Sequence, residues 1–126
     1  NKNISKKNII NMQKKKTGEL FGFCCESIAI IKGFKTIKRK KLKEIGIDIG
    51  LLFQIVDDLI DYKQDSSIVR KSTKNDKATF INLIGYKKTI NFARDLNKKI
   101  NNKIKKYGSK ANDLLESVEF ILNRKF

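Results

Sequence analysis

The sequence of 126 residues contains no proline. Proline is the residue that most strongly interrupts a helix, so its absence favours long uninterrupted helices. Apolar residues recur at helical spacing along most of the chain, and no stretch shows the alternation of a half-buried strand. The pattern therefore predicts an all-α helical bundle, and the length predicts a single domain.

Cap residues and breaks in periodicity divide the chain into helices. Thr17-Gly18 predicts a kink, Gly33 a helix C-cap, and the polar segment from Lys63 to Asn75 a loop. The predicted helices run from Ser5 to Gln13, Leu20 to Ile31, Lys35 to Tyr62, Asp76 or Thr79 to Gly85, Lys87 to Tyr107, and Lys110 to Phe126. Two stretches, Leu20 to Ile31 and Ile45 to Ile60, are apolar on almost every face and are predicted to be buried.

Several chemistries are excluded or disfavoured by composition. The chain has no histidine, so imidazole catalysis and histidine-bearing metal sites are excluded. Cys24 and Cys25 are adjacent, too close for an ordinary disulfide, and are expected to be small core side chains in a reducing, cytoplasmic compartment. No apolar run approaches the roughly 18 residues of a membrane span, and Asn1 to Lys7 lacks the apolar core of a secretory signal. The sequence opens on Asn1 rather than Met, which suggests a piece of a longer protein.

The formal net charge is +16, and three explanations remain open. The charge could mark a surface for nucleic acid or anionic membrane, a codon-biased background in an AT-rich genome, or a site for a small polyanion. Lysines are spread along the whole chain, arginines are few, and aromatic residues do not alternate with basic ones. These features disfavour a nucleic-acid partner.

The most informative stretch is Gly50 to Asp61. On a helix, Gln54, Asp57, Asp58 and Asp61 share one face at spacings i, i+3, i+4 and i+7. A solvated acidic edge is the simplest interpretation. However, like charges at i, i+4 repel each other, aspartate is a poor helix former, and acidic groups near a helix C-terminus oppose the macrodipole. A bound divalent cation would offset these penalties, and carboxylate oxygens suit Mg²⁺ shared with substrate phosphates.

Three segments together resemble a known family. Phe53 to Asp61 is similar to the second aspartate-rich motif of the trans-prenyl diphosphate synthases, the farnesyl and geranylgeranyl diphosphate synthase family. Lys16-Thr17-Gly18-Glu19-Leu20 resembles the upstream Lys-Thr-Gly-x-Leu segment. Lys71 and the segment Lys77 to Phe80 resemble the downstream lysines. The order matches, and the resemblance covers essentially the whole chain.

The resemblance implies a fold, substrates and roles. The fold would be the C-terminal part of the isoprenoid synthase fold. The reaction would be head-to-tail condensation of an allylic diphosphate with isopentenyl diphosphate, of the (2E,6E)-farnesyl diphosphate synthase type, in a homodimeric enzyme. The implied metal ligands for Mg²⁺ are Asp57, Asp58 and Asp61, the implied diphosphate contacts are Lys16, Lys71 and Lys77, and the groups beside the reacting allylic carbon are Thr17 and Gln54.

The resemblance also shows what the 126 residues lack. In this family ionisation of the allylic diphosphate uses three metal ions, and the first aspartate-rich motif holds the other two. Neither that motif nor the residues that bind isopentenyl diphosphate occur here. Residues 1–126 are therefore expected to be the C-terminal portion of a synthase domain, inactive by itself. Two alternatives stay open: a non-catalytic helical subunit or homologue, and a basic helical module that binds nucleic acid or anionic membrane.

Overall fold

A computed structural model describes residues 5–68, 79–108, 112, 116, 118–120 and 123. These residues form helices and their connections, with no strand among them, as the sequence predicts. The elements are α1 (Lys6–Gln13), a π-helical turn (Lys14–Gly18), α2 (Glu19–Ile31), α3 (Thr36–Ile68), α4 (Phe80–Ile84) and α5 (Tyr86–Lys105).

The first helical run begins and ends at the predicted caps. The Ser5 side chain accepts a hydrogen bond from the Asn8 backbone N–H at 3.2 Å, which satisfies one free donor of the first turn. The kink predicted at Thr17-Gly18 is a π-helical turn, so residues 6 to 31 wind continuously with one local change of pitch. At the other end Gly33 has a φ of 72°, the left-handed conformation of a C-cap glycine.

Helix α3 is longer than the sequence pattern indicated. It continues to Ile68, whereas the predicted helix stops at Tyr62 and the predicted loop starts at Lys63. The physical reason is that the polar residues after Tyr62 include good helix formers and contain neither glycine nor proline to end the helix. The rest of the predicted loop, from residue 69 to residue 75, lies outside the described residues.

The next helices follow their predicted signals closely. Thr79 caps α4, and its side chain accepts a hydrogen bond from the Asn82 N–H at 3.2 Å. Gly85, with a φ of 91°, separates α4 from α5. Of the predicted last helix, the described residues Asn112, Glu116 and 118–120 are helical. The remaining part of that prediction lies outside the described residues.

Helix α3 is the central helix of the bundle, and it contacts α1, α2, α4, α5 and the π-helical turn. Its second half is buried as predicted, and Leu52, Ile55, Val56 and Leu59 have no exposed surface. The other core side chains are Ile45, Ile49 and Leu51 of α3 itself, Ile9 of α1, Phe80 and Ile81 of α4, Ala93, Leu96, Ile100 and Ile104 of α5, and Val118. A polar tie joins α3 to α5, because Lys103 Nζ lies 3.3 Å from Oδ2 of the buried Asp48.

Helices α2 and α3 cross with their backbones in direct contact. A Cβ atom at Gly46 would lie 2.5 Å from the Phe21 carbonyl oxygen, and a Cβ atom at Gly50 would lie 2.7 Å from the Gly18 Cα. Real side chains do not tolerate such distances, so only glycine permits this approach. We call this contact the glycine crossing; it fixes the position of the π-helical turn against α3.

The prediction that α2 is buried is wrong for one of its faces. Leu20 and Phe23 are each 63% exposed and Ile31 is 82% exposed. Cys24 is exposed and Cys25 is half-buried, so neither is the core residue that was expected. The reason is geometric. The face of α2 that carries Gly22 packs against α3, whereas the opposite apolar face remains exposed in the described part of the chain.

The two cysteines are expected to react at different rates. Burial, and secondarily the neighbouring Cys24, raise the pKa of the Cys25 thiol above its ordinary value. A raised pKa means less thiolate at a given pH, and the thiolate is the species that reacts. At about pH 8, iodoacetamide should modify the exposed Cys24 severalfold faster than Cys25. Peptide mass spectrometry over time measures both rates, with Cys24→Ser and Cys25→Ser as controls; equal rates in the two single-cysteine variants would contradict the assignment.

Candidate functional site

The predicted polar stripe of α3 lies at the edge of the core. Gln54, Asp57 and Asp58 are half-buried and Asp61 is exposed, while the neighbouring Val56 and Leu59 are fully buried. The helix therefore presents these polar groups along one side while its other sides pack against apolar residues.

The structure brings Thr17 and Gln54 together, although 37 residues separate them in sequence. Thr17 Oγ1 donates a hydrogen bond to Gln54 Oε1 at 3.2 Å. Gln54 Nε2 in turn donates to Asp58 Oδ1 at 3.2 Å. An ionised carboxylate only accepts hydrogen bonds, so the amide nitrogen must face Asp58 and the amide oxygen must face Thr17. Thr17, Gln54 and Asp58 thus form one directed hydrogen-bond chain.

An apolar contact lies beside this chain. The rings of Phe21 and Phe53 are tilted by 38° with their centroids 5.7 Å apart. Phe53 directly precedes Gln54, and Phe21 lies one turn after Thr17. The polar chain therefore has an aromatic contact next to it in both segments.

The cationic part of the predicted site is less completely described. Lys16 lies in the π-helical turn next to Thr17. Lys71 and Lys77 lie outside the described residues, so their roles stay predictions. The structure thus joins the first and second of the three segments that carried the resemblance.

The aspartates of α3 do not lie at a helix C-terminus, contrary to the sequence prediction. The aspartates were expected to oppose the macrodipole at a helix C-terminus, but α3 continues to Ile68. Asp61 is therefore outside the last turn, where the dipole effect is concentrated. Repulsion between Asp57 and Asp61 at i, i+4 remains, at about 0.2–0.5 kcal/mol.

The carboxylate oxygens of α3 are of the kind that a hard divalent cation prefers, but they do not form a complete metal site by themselves. Within the described ranges, no three His, Cys, Asp or Glu side chains form a group that could hold a metal ion by themselves. Magnesium usually takes one or two carboxylates and completes its shell with water and substrate phosphates. Partly exposed aspartates at the edge of the bundle, Asp57 and Asp61, provide oxygens of that kind.

Two features of the site region were missed by the sequence analysis. The first is the glycine crossing, whose signal is the repeated spacing Gly18-x-x-x-Gly22 and Gly46-x-x-x-Gly50. The second is a stack between Tyr62, which follows Asp61, and Tyr86 at the start of α5, with ring centroids 5.2 Å apart. No local pattern in the sequence indicates that pairing. None of the described helices is long and apolar enough to cross a membrane.

Comparisons with known proteins agree with this geometry. The chloroplastic geranylgeranyl pyrophosphate synthase of Capsicum annuum is 33% identical over 101 residues, which are 76% of this chain and 27% of that protein. The farnesyl diphosphate synthase of Micrococcus luteus is 36% identical over 74 residues, 56% of this chain and 25% of that protein. A crystal structure of a geranyltransferase from Helicobacter pylori superposes with a TM-score of 0.75 at 25% identity, and the match covers 98% of this chain and 40% of the other.

The chain thus spans between a quarter and two fifths of the length of these relatives. The fold predicted from the resemblance, part of an all-α isoprenoid synthase, is confirmed by the superposition. The family model for polyprenyl synthetases matches residues 1–121, nearly the whole sequence. On that match, this chain belongs to the polyprenyl synthetase family, whose relatives here include farnesyl and geranylgeranyl diphosphate synthases.

Proposed function

We propose that the protein containing this chain is a Mg²⁺-dependent trans-prenyltransferase that condenses an allylic diphosphate with isopentenyl diphosphate. The chain supplies its C-terminal portion, with the second aspartate-rich motif. The observation that carries the proposal is the hydrogen bond from Thr17 to Gln54, because it joins the Lys-Thr-Gly segment to the aspartate-rich helix. In the proposed reaction, these two segments lie on opposite sides of the same allylic diphosphate.

Each residue then has a role in the first step, the ionisation of the allylic diphosphate. Asp57, Asp58 and Asp61 would hold a magnesium ion, and the bound ion would neutralise the charge that develops on the diphosphate leaving group. The diphosphate oxygens are contacted by the side chains of Lys16, Lys71 and Lys77. These cations stabilise the same leaving group and lower the barrier to its departure.

Two neutral groups act on the carbon side of the breaking bond. The oxygens of Thr17 and Gln54 carry partial negative charge, which stabilises the allylic cation as it forms. The Phe21–Phe53 contact beside them keeps water from capturing that cation. The double bond of isopentenyl diphosphate then attacks the cation, and loss of a proton gives the lengthened allylic product.

The relatives include both farnesyl and geranylgeranyl synthases, so the proposal covers short trans products of either length. The farnesyl product suggested by sequence stays a prediction. The homodimeric assembly and the cytoplasmic placement stay predictions as well.

The metal assignment predicts cooperative binding of Mg²⁺ and diphosphate in the intact protein. Saturating Mg²⁺ with inorganic diphosphate should raise the melting temperature by several degrees more than the two separate shifts combined, because each ligand completes the other's site. Asp57→Ala should remove most of this excess shift. Differential scanning fluorimetry measures it, with Asp95→Ala, an exposed aspartate of α5, as the matched control. An excess shift that survives Asp57→Ala would overturn the assignment.

A further inference from the structure

We propose that the exposed apolar side of α2 is the docking surface for one helix of the same protein, the helix that directly precedes residue 1 and runs antiparallel to α1 and α2. The inference rests on the proposed function, because that function makes residues 1–126 the C-terminal portion of a longer synthase. None of the residues on this surface has a role in the proposed reaction.

The surface is a stripe of side chains on the side of α2 opposite Gly22. Its members are exposed and follow the spacing i, i+3, i+4 and i+11, which places them on one side of a helix: Leu20, Phe23, Cys24 and Ile31. Among the described elements, α2 packs against α3 and the π-helical turn through its other side. A helix that is apolar on two opposite sides belongs to the interior of a bundle, so this stripe requires a cover.

The stripe continues past the π-helical turn onto α1. Eight positions separate Met12 from Leu20, but a π-turn contains one residue more than an α-turn and leaves the phase of its flanking helices nearly unchanged. The eight positions therefore correspond to seven in a regular helix, and a spacing of seven returns to the same side. Met12, which is 37% exposed, thus lies in line with Leu20.

The dimensions of the stripe fit the side of a single helix. From Met12 to Ile31 the helical run rises about 29 Å, at roughly 1.5 Å per residue. A helix of about 20 residues would cover that length. Its apolar side chains would have to recur every three or four residues, because the stripe is only one helix face wide.

The direction of the chain identifies which helix this is. Consecutive helices in a bundle are usually neighbours, and a short connection makes them antiparallel. A helix that ends shortly before residue 1 meets the stripe at its α1 end. Its last turns would therefore lie beside Met12, and its earlier turns beside Ile31.

The comparison with the Helicobacter pylori geranyltransferase supports an occupant from the same protein. The match covers 98% of this chain and 40% of that protein, so the larger part of that protein has no counterpart in residues 1–126. A helix connected directly to α1 would also have a high effective concentration at the stripe. That connection favours it over a second copy of the chain.

The test places a photocrosslinking side chain on the stripe of the intact protein. Phe23→p-benzoylphenylalanine keeps an aromatic group at position 23, and mass spectrometry identifies the residue that it captures on illumination. We expect a crosslink within one chain, to a residue about 10–25 positions before residue 1. The matched control is Lys98→p-benzoylphenylalanine on the exposed side of α5, which should capture no residue of that segment.

A second site tests the antiparallel direction. Ile31→p-benzoylphenylalanine should capture a residue about eight positions further upstream than the Phe23 variant does, because antiparallel helices run in opposite directions along their contact. Capture of a residue nearer to residue 1 would overturn this arrangement. Position 31 lies at the end of the stripe, so this variant also decides the occupant if the Phe23 variant does not fold.

Cys24 offers a measurement that needs no substitution. It is exposed in residues 1–126, but in the intact protein the covering helix should slow its reaction with iodoacetamide at least about tenfold relative to the same protein unfolded in urea. The control Lys98→Cys, on the exposed side of α5, should react at folded and unfolded rates within about threefold of each other. A Cys24 that reacts as fast in the folded protein as in urea would show that the stripe is uncovered, and the proposal would be overturned.

The remaining outcomes separate the docking surface from the proposed function. Crosslinks between two chains would assign the stripe to a second copy, and the absence of any crosslink to the preceding segment would remove the proposed occupant; either result overturns the inference and leaves the proposed function standing. If the expected crosslinks form but Mg²⁺ and diphosphate do not bind cooperatively, the docking surface stands and the proposed function fails. An intact protein without a helix before residue 1 would overturn both.

Discussion

The 126-residue chain, purified alone, is expected to show no measurable prenyl transfer from an allylic diphosphate to isopentenyl diphosphate in the presence of Mg²⁺. The family resemblance implies three metal ions, of which Asp57, Asp58 and Asp61 would hold one. In the described part of the chain, no three His, Cys, Asp or Glu side chains form a group that could hold a metal ion by itself. The match covers only 40% of the Helicobacter pylori geranyltransferase, so residues 1–126 correspond to less than half of that protein.

The measurement is a radiolabelled prenyl-transfer assay of the 126-residue chain beside the intact protein at equal concentration. We expect the prenyl-transfer rate of the chain to stay below about one thousandth of that of the intact protein. Without the other metal sites and the second-substrate site, the interactions that lower the activation barrier most are missing. Circular dichroism verifies that the isolated chain is helical, which separates lack of a site from lack of a fold. Turnover comparable to that of the intact protein would show that the site is complete without the first aspartate-rich motif.

Phe80→Ala is expected to destabilise the fold by about 3–5 kcal/mol, the usual range for deleting a buried aromatic side chain. Phe80 has no exposed surface, and its ring centroid lies 5.2 Å from that of Phe92 on α5. It begins α4, a helix of only five residues that has little backbone stability of its own. The loss should therefore release α4 from its contacts with α3 and α5.

Urea denaturation of the intact protein, followed by circular dichroism, measures this effect. Phe80→Leu keeps most of the volume and should cost less than about 1.5 kcal/mol. Leu83→Ala is the control on the same helix, since Leu83 is 40% exposed and its truncation should cost clearly less. A Phe80→Ala variant as stable as Leu83→Ala would show that Phe80 is not the anchor of α4.

The features that sequence predicted well are those decided by local chemistry. Ser5, Thr79 and Gly33 cap helices because of properties of their own side chains and backbones, and these are visible without knowing the fold. The face shared by Gln54 and Asp58 follows from helical spacing alone. The pairing of Thr17 with Gln54 could be expected only from the family resemblance, because no local pattern links positions 37 residues apart.

The features that sequence did not predict depend on what packs against what. The apolar face of α2 looked like core, but burial requires another element to cover it, and Phe23 remains exposed in the described chain. The sequence predicts the end of α3 too early, at Tyr62, because the polar residues that follow have the composition of a loop. Asp48 belongs to an apolar stretch, and its partner Lys103 is 55 residues away in sequence.

The π-helical turn lets the lysine-rich segment contain one residue more than a regular helix while α1 keeps its orientation. A π-turn contains one residue more than the corresponding α-turn, so the additional residue widens the turn and leaves the phase of the flanking helices nearly unchanged. If Lys14 or Lys15 were deleted, the run would wind as a regular α-helix with Ile9 still facing the core. An inserted residue has no second π-turn to accommodate it, so it would rotate α1 by about 100° relative to Thr17 and carry Ile9 out of the core. The lysine-rich segment therefore tolerates the loss of one residue better than the gain of one.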